Sequence, residues 1–187
     1  SGEVVQVPTM TQEPDLGIAS VDGVQLLEMP YKDEEVSMVV LLPDDPAGLD
    51  DLEASLTHEN VQTWIDALSE SSVQVEFPSF ELETQLPLSE LLVELGMVDA
   101  FDDSVADFTG IVAREDMEAN YYVQSTKHKA YVLVDERGTT AAAATGVSIG
   151  TRSVDSGPIP FVVDHPFIFV IRDMLTGTIL FMGRIED

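Results

Sequence analysis

The chain has 187 residues, enough for one domain with a sizeable core, and 44% of them are hydrophobic. Eight basic residues against 35 acidic ones give a formal charge of −27, which makes nucleic acids and anionic membranes poor partners. No apolar run is long enough for a membrane-spanning helix, and the absence of cysteine excludes disulfides and thiol catalysis. The first eight residues have no basic region and no apolar core, so we expect no signal peptide in this chain.

The excess of acidic over basic residues has two interpretations. Like charges on a folded surface repel one another, and dissolved salt screens that repulsion. One interpretation is therefore adaptation to a saline environment. The other is a generally acidic protein of prokaryotic origin.

The first part of the chain is predicted to be rich in strands. Strand-like runs cover Val4–Val7, Ile18–Met29 in pieces, and Val36–Leu42. The third run is continuously apolar and ends at Pro43, as expected for a strand that is buried on both faces. The acidic turn at 44–51 lacks the ligand spacing of an EF-hand, so we predict no metal site there.

Three short helices are predicted next, the third after a strand. Apolar residues at helical spacing give two helices one buried face each, and Trp64 is expected in the core. These positions are Leu49, Leu52 and Leu56 in the first helix, and Val61, Trp64, Ile65 and Leu68 in the second. A long strand, broken at Pro78, leads to a third helix between Pro87 and Gly96, with Leu88, Leu91, Leu92 and Leu95 on one face.

The last part of the chain is again predicted to be mostly strand. Residues 100–111 are irregular, and Tyr121–Val134 is a strand region. Two further strands, Phe161–Arg172 and Thr178–Arg184, are joined by a turn and are apolar enough for central positions in a sheet. Without repeats or a clear linker, the sequence predicts one β-rich α+β domain.

Catalytic chemistry has little support in the sequence. The three histidines, His58, His128 and His165, have no metal-ligand spacing, and we interpret them as structural or surface residues. A triad of Ser153, His165 and Asp164 can be drawn, but no motif singles it out. Since no phosphate-binding glycine loop and no distinguishable carboxylate pair occurs either, we predict no catalytic, cofactor-binding or metal-binding residues.

One loop of 24 residues, from Asp135 to Pro158, separates two strand regions and is longer than connections usually are. From Gly138 to Gly150 it contains only Gly, Thr, Ala, Val, Ser and Ile. A helical continuation after Glu136 is one interpretation, although glycine and threonine weaken it. The other is a segment built to become a strand, since small or β-branched side chains alternate on both faces.

Arg152 stands near the far end of this loop and is one of five arginines in the chain. Trypsin-like proteases carry an aspartate at the base of their specificity pocket, which favours arginine before the cut bond. An arginine on an exposed loop would therefore suit such a protease as bait. The alternative is a single solvated surface charge.

At this point the sequence resembles the serpins, serine protease inhibitors that act by loop insertion. Residues 128–146 (HKAYVLVDERGTTAAAATG) resemble the family's hinge region, and 161–185 (FVVDHPFIFVIRDMLTGTILFMGRI) resemble its C-terminal signature. Further matches occur at VVQVPTM, LLEMPYKDEEVSMVVLLPDD and FPSFELETQLPLSELLVELGMVDAFDDSVADFTGI. The hinge residues that match the family pattern are Glu136, Gly138, Thr139, Ala141, Ala142, Ala143 and Ala144.

The resemblance implies a suicide-substrate inhibitor with a reactive loop at about 137–160. In this family the scissile residue usually lies sixteen positions after the hinge glutamate, which places the reactive bond at Arg152-Ser153. The implied target is a trypsin-like serine protease, and the implied site of action is extracellular. No cofactor is implied, and a polyanion would suit this charge poorly.

A complete serpin is about twice this length, so the resemblance implies that 1–187 is the C-terminal portion of a serpin domain. The expected fold is a partial, β-rich, multi-sheet α+β domain with few short helices, whose partner is the missing N-terminal half. Two alternatives stay open: a non-inhibitory serpin-like protein whose loop is cleaved without trapping, and an inactive fragment that acts as an interaction domain. A hydrolase has the least support.

Overall fold

The computed structural model describes residues 7–116, 118–135 and 157–186. The chain divides into two compact units. The large unit comprises the described residues of Ser1–Phe80 and Val134–Asp187, and the small unit is Glu81–Leu133. Across the described ranges, no helix combines the length and the apolar character that a membrane crossing requires.

The elements alternate short strands with a few one- to two-turn helices. The strands are β1 (Thr9–Gln12), β2 (Asp15–Val21), β3 (Val24–Pro30), β4 (Val36–Pro43), β5 (Ser69–Pro78), β6 (Phe80–Pro87), β7 (Lys127–Val134), β8 (Ile159–Val162), β9 (Phe167–Asp173) and β10 (Ile179–Ile185). The helices are α1 (Leu49–Ala54), α2 (His58–Asp66) and α3 (Ser89–Glu94). Short 3₁₀ turns occupy Asp99–Phe101 and Arg114–Asp116.

The large unit is organised by one sheet with the strand order β1-β5-β2-β3-β4-β9-β10. Its neighbours are antiparallel, except that β8 pairs with β5 in parallel. The first residues of β5 pair with β2, whereas from Val73 onward β5 has β8 as a partner and from Val75 onward also β1. In the small unit, β6 and β7 form a separate two-stranded sheet.

The core lies on both faces of β3, β4 and β9. Because strand side chains alternate, one face of these strands packs against α1 and α2. That cluster consists of Val24, Leu26, Val39, Leu41, Leu49, Leu52, Trp64, Ile168 and Val170. The other face is closed by an aromatic group, in which Phe77 and Phe80 contact Phe167 with ring centroids 5.5 and 6.0 Å apart.

These contacts confirm several predictions. Strand β4 is buried from Ser37 to Pro43, as its continuous apolar run predicted. Helices α1 and α2 present the predicted faces to the sheet, with Leu49, Leu52 and Trp64 buried. The break after Pro78 separates β5 from β6. The β-rich α+β class is confirmed.

Four predictions about elements need correction or fall outside the described residues. The run Val4–Val7 lies mostly outside them, and the first described strand is β1 at Thr9–Gln12. The run Tyr121–Val134 is strand only from Lys127, because the residues before it have no ladder partner among the described strands. The run Phe161–Arg172 is two strands, β8 and β9, that pair with different neighbours.

The fourth correction concerns the last strand, β10, which forms as predicted but at a different position in the sheet. The sequence predicted a central place for Thr178–Arg184, but β10 pairs with β9 alone among the described strands. Its apolar side chains are consequently half exposed, with Phe181 at 45%. Helix α3 forms as predicted, yet none of its residues is buried within the described part, and Leu95 beside it is 74% exposed.

The turn between β9 and β10 is held by Asp173. Its Oδ1 accepts hydrogen bonds from the hydroxyl and the backbone N–H of Thr176, at 2.7 and 2.6 Å. The Thr176 hydroxyl, followed by the Thr176 amide, holds the pKa of Asp173 below its ordinary value. This turn therefore contributes its stability above the ordinary carboxyl pKa and loses it as pH falls through the lowered value.

A polar network crosses the sheet at one end of the core. Arg172 on β9 donates from Nη2 and Nε to Oε1 of Glu28 on β3, at 2.8 and 3.1 Å. The same oxygen accepts a 2.7 Å hydrogen bond from the hydroxyl of Ser37, which is fully buried on β4 between them. Both charged side chains are 13% exposed, so the pair is well shielded from water.

We predict that Arg172→Met lowers the free energy of unfolding by about 3 kcal/mol, because it leaves the Glu28 carboxylate buried without its cation. Urea unfolding measures this effect through the denaturation midpoint. The matched control is the double variant Glu28→Leu with Arg172→Met, which should recover most of the loss. If the double variant lost as much stability as Glu28→Leu and Arg172→Met lose separately and in sum, the unpaired Glu28 carboxylate would not be the cause of the loss.

Candidate functional site

The predicted reactive residues lie outside the described part of the chain. These are the hinge residues Glu136, Gly138, Thr139 and Ala141 to Ala144, together with Arg152 and Ser153. The structure does describe the two strands that flank this segment. Strand β7 leads into it from the small unit, and β8 follows it in the large unit.

The leading flank is the two-stranded sheet of the small unit. Its β7 alternates exposed and half-buried residues, and His128 is exposed on it. Lys129 on β7 forms a 2.7 Å ion pair with Glu83 on β6. Both side chains of this pair are more than half exposed, so the pair adds little to stability.

The following flank is fastened to the large unit by its backbone. Strand β8 runs parallel to β5, with Val75 opposite Phe161 and Glu76 opposite Val162. The next amide, that of Val163, donates a 2.9 Å hydrogen bond to the carbonyl of Glu76. Phe161 is completely buried, whereas the neighbouring Val162 is exposed. The chain after the predicted reactive bond is thus tied down by a short ladder and one large aromatic anchor.

A second fastening follows at His165. Its Nδ1 lies 2.7 Å from Oδ1 of Asp164, and its Nε2 lies 2.7 Å from the carbonyl oxygen of Pro43 at the end of β4. The ring is largely buried, with 14% of the side chain exposed, while Asp164 remains mostly in solvent. The imidazole therefore links the segment between β8 and β9 to the centre of the sheet.

This geometry bears on the triad drawn from the sequence. His165 and Asp164 are in contact, and Ser153 lies outside the described residues. A general base for a serine hydroxyl needs a free ring nitrogen, yet Nε2 already faces the Pro43 carbonyl. The contact of His165 with Asp164 is therefore suited to fastening the chain, in keeping with the structural role predicted for this histidine.

The carboxylates of the acidic turn after β4 accept hydrogen bonds from nearby residues. Asp45 Oδ1 accepts the amide of Ala47 at 2.9 Å, and Asp44 Oδ1 accepts the side-chain amide of Gln25 at 2.9 Å. Asp50 and Asp51 stand in the first turn of α1, where a negative charge is favourable. Within the ranges that the structure covers, no three His, Asp or Glu side chains are grouped to hold a metal ion.

Sequence reasoning missed the partner of His165. The family-like stretch Asp164-His165-Pro166 was recognised, but nothing in the sequence connects it with Pro43, which is 122 residues away. The signal that could have indicated this contact is the pair of prolines, Pro43 and Pro166. A strand that ends in proline, and a second strand that starts after proline, each lack a backbone donor.

Comparison with protein families places the whole chain in one of them. Residues 1–187 match the family model described as Serpin (serine protease inhibitor). Among curated proteins, the chain is 44% identical over 174 residues to serpin B8 of Homo sapiens, covering 92% of the chain and 45% of serpin B8. It is 38% identical over 189 residues to antithrombin-III of Mus musculus, covering 100% of the chain and 40% of that protein.

Solved structures agree with this assignment. Native protease nexin-1 with heparin superimposes with a TM-score of 0.82 at 31% identity, over 98% of this chain and 48% of that one. Uncleaved ovalbumin gives a TM-score of 0.77 at 28% identity, over 95% of this chain and 43% of that one. The chain thus spans less than half the length of the proteins it matches. The two curated relatives named here are mammalian, so the prokaryotic origin inferred from acidity gains no support from them.

We predict that Phe161→Ala destabilises the large unit by about 3–5 kcal/mol, because it removes a fully buried aromatic side chain from β8. Chemical denaturation measures the loss, and limited proteolysis should show faster cutting near β8. Val162→Ala is the matched control, since its side chain is exposed on the same strand, and it should change stability by less than about 1 kcal/mol. Equal losses in both variants would contradict the anchoring role of Phe161.

Proposed function

Because this chain belongs to the serpin family, we propose that it is the loop-bearing part of an inhibitor of trypsin-like serine proteases. The observation that carries the proposal is the family match over 1–187, within which the hinge motif and Arg152 stand sixteen residues apart, from 136 to 152. The chain then acts as a protease inhibitor and a suicide substrate rather than as an enzyme.

The proposed chemistry takes place at the peptide bond between Arg152 and Ser153. The protease serine attacks the Arg152 carbonyl, the bond breaks, and the Ser153 nitrogen leaves as an amine. Arg152 then remains esterified to the protease. Insertion of the freed hinge side into a sheet traps that acyl-enzyme, and serpin loop insertion is an established example of strand addition with release of strain.

The composition of the hinge supports insertion. Residues 139–148 contain only small or β-branched side chains, so neither face of the segment brings a charge into a sheet. A charged side chain placed between two strands would have to be desolvated, and a proline would remove a ladder donor. This favours an inhibitor over a serpin-like protein that is only cleaved.

Strand β8, which follows the proposed reactive bond, supports the direction in which the loop would move after cleavage. Strand β8 and Val163 are fastened to β5, and Phe161 is buried, so the chain after Ser153 is held on the large unit. After cleavage, only the side that ends at Arg152 is released from that fastening. This is the side that carries the hinge residues.

We further propose that 1–187 is the C-terminal portion of a serpin domain, whose partner is the N-terminal half of the same domain. The chain covers 40% to 48% of its relatives, which leaves room for such a half. Apolar side chains on β10 and near α3, including Phe181 and Leu95, are exposed in the described structure and would be buried by it. An insertion slot needs a strand on each side, so trapping requires both halves.

Two other functions fit the family membership. A non-inhibitory serpin-like protein would be cleaved without trapping, and an isolated fragment would act as an interaction domain. Extracellular action stays a prediction of the family resemblance. The strongly negative charge argues against a polyanionic cofactor for this chain, although one matched protein, protease nexin-1, was solved with heparin.

The proposal is tested by mixing trypsin with the complete serpin chain that carries these residues. A band at the summed mass should survive on a denaturing gel, because the acyl-enzyme is covalent. Arg152→Glu should abolish that band, since the trypsin pocket binds a cation. Ser153→Ala is the control that should keep it. Cleavage after Arg152 without a covalent band would favour the non-inhibitory function, and no cleavage at all would remove Arg152 from the mechanism.

A second variant tests insertion separately from bait recognition. We predict that Ala143→Glu leaves cleavage after Arg152 intact but raises the number of inhibitor molecules consumed per trypsin inhibited by about tenfold, because a buried charge slows insertion. Titration of trypsin activity against inhibitor gives this number. An unchanged titration would contradict insertion of this segment, whereas Ala143→Ser, which stays small, should behave like the original chain.

A further inference from the structure

Gly157 is the first described residue after the predicted reactive bond, and its backbone turns in the left-handed sense. Its φ is 66°, a conformation that residues with a side chain rarely adopt. A Cβ added at this position would meet no other described atom within 4 Å, so crowding does not explain the glycine. What the position requires of its residue is the direction of the backbone.

Pro158 fixes this turn from the following side. A proline disfavours the helical region for the residue before it, which leaves Gly157 fewer conformations. The proline ring also locks its own φ at about −65°, so the bend at Gly157 is passed on without a loose joint. We call Gly157 and Pro158 the elbow.

The elbow leads directly into a fixed strand. Ile159 opens the β8 ladder, and Phe161 is completely buried two residues later. The Val163 amide donates to the Glu76 carbonyl, and because ladder donors alternate along a strand, Pro160 faces the outer edge. Its missing N–H therefore costs no bond to β5. The chain from the elbow onward is held in one orientation on the large unit.

A short stretch of chain separates the elbow from the proposed reactive bond. Ser153 precedes Gly157 by four residues. Four residues span at most about 14 Å when fully extended. A protease must hold the bond that it cuts in one attack geometry. The direction in which the backbone enters the elbow therefore limits how an enzyme bound at that bond can stand against the large unit.

We propose that Gly157 is a positioning residue that sets the direction from which the reactive bond is presented to a trypsin-like protease. It contacts no reacting atom and acts through the backbone alone. The inference rests on the proposed function, in which Arg152 is the bait.

A residue with a side chain at position 157 would redirect the chain. Before a proline, such a residue favours extended backbone with φ of about −120°, far from the 66° of Gly157. Because the surroundings are open, no described atom opposes that rotation. The chain would then leave β8 in another direction, and a misplacement of about 1 Å is enough to slow a reaction strongly.

The experiment measures how fast trypsin releases the fragment that begins at Ser153 from the complete serpin chain, by mass spectrometry after denaturation. This fragment forms whenever the bond is cut, with or without trapping of the acyl-enzyme. We expect Gly157→Ala to lower the rate constant of release about tenfold. Gly157→Asn should keep the rate constant to within about threefold, because asparagine tolerates a positive φ better than most residues with side chains.

Two glycines in other turns provide matched controls. Gly23, between β2 and β3, and Gly177, between β9 and β10, have φ of 81° and 72° and the same open surroundings. Gly23→Ala and Gly177→Ala impose a similar backbone strain away from the elbow, so both should release the fragment at the original rate. Hydrogen exchange at the Phe161 and Val163 amides should stay unchanged in Gly157→Ala, because β8 keeps its ladder.

Equal release rates in Gly157→Ala and the original chain would overturn the proposal. Equal slowing in Gly157→Ala and Gly157→Asn would overturn it too, since the effect would then not depend on φ. If Gly157→Ala does not fold, Pro158→Ala loosens the elbow and should slow release about threefold, and an unchanged rate overturns the proposal instead. Loss of the covalent trypsin band with these rate differences intact would count against the proposed function and leave the elbow standing.

Discussion

The pairing of β4 with β9 is the constraint on which the rest of the large unit depends. Both strands have buried side chains on both faces, so a shift of one residue would place the aromatic group where the helices pack. The helices α1 and α2 rest on one side of this pair, and Phe77 and Phe80 close the other. The buried pair of Glu28 on β3 and Arg172 on β9 reaches across β4 and opposes such a shift, because an unpaired buried charge is costly.

Much of this core could be read from the sequence. The unbroken apolar run of β4 and the helical spacing around Leu52 and Trp64 specify buried surfaces through a strong local pattern. The place of β10 could not be read in this way. An apolar strand is predicted to be central, but its neighbour is decided by contacts distant in sequence, and the described chain supplies one partner.

In the candidate site, too, the features that depend on local sequence were predicted and those that depend on distant contacts were not. Arg152 and the hinge residues were recognised because their chemistry and spacing are local, and they stay predictions, since they lie outside the described residues. The contact of His165 with Pro43 could not be predicted, because it depends on the register of two strands that are far apart in the chain. Neither Pro43 nor Pro166 has a backbone donor, and only the folded sheet brings His165 to the carbonyl of Pro43.

The two strands that flank the predicted reactive segment differ in how they are held. The leading strand β7 lies in a two-stranded sheet with an exposed ion pair, whereas the following strand β8 has a buried aromatic anchor and a continued backbone ladder. Strands with few buried contacts open locally at low free energy. The asymmetry supports the proposed function, in which the side that carries the hinge leaves its place and the other side keeps it.

The distribution of charge has a further consequence for the rate of encounter. Lys129, Arg172 and Arg184 are each paired with one or more carboxylates, so each cancels the charge of an acid beside it, and the unpaired acids set the long-range field. A molecule with a formal charge of −27 attracts basic surfaces over a Debye length and repels acidic ones. Under the proposed function, selection among proteases that accept arginine equally well would then begin before contact, in the diffusional approach, and would fade as ionic strength rises.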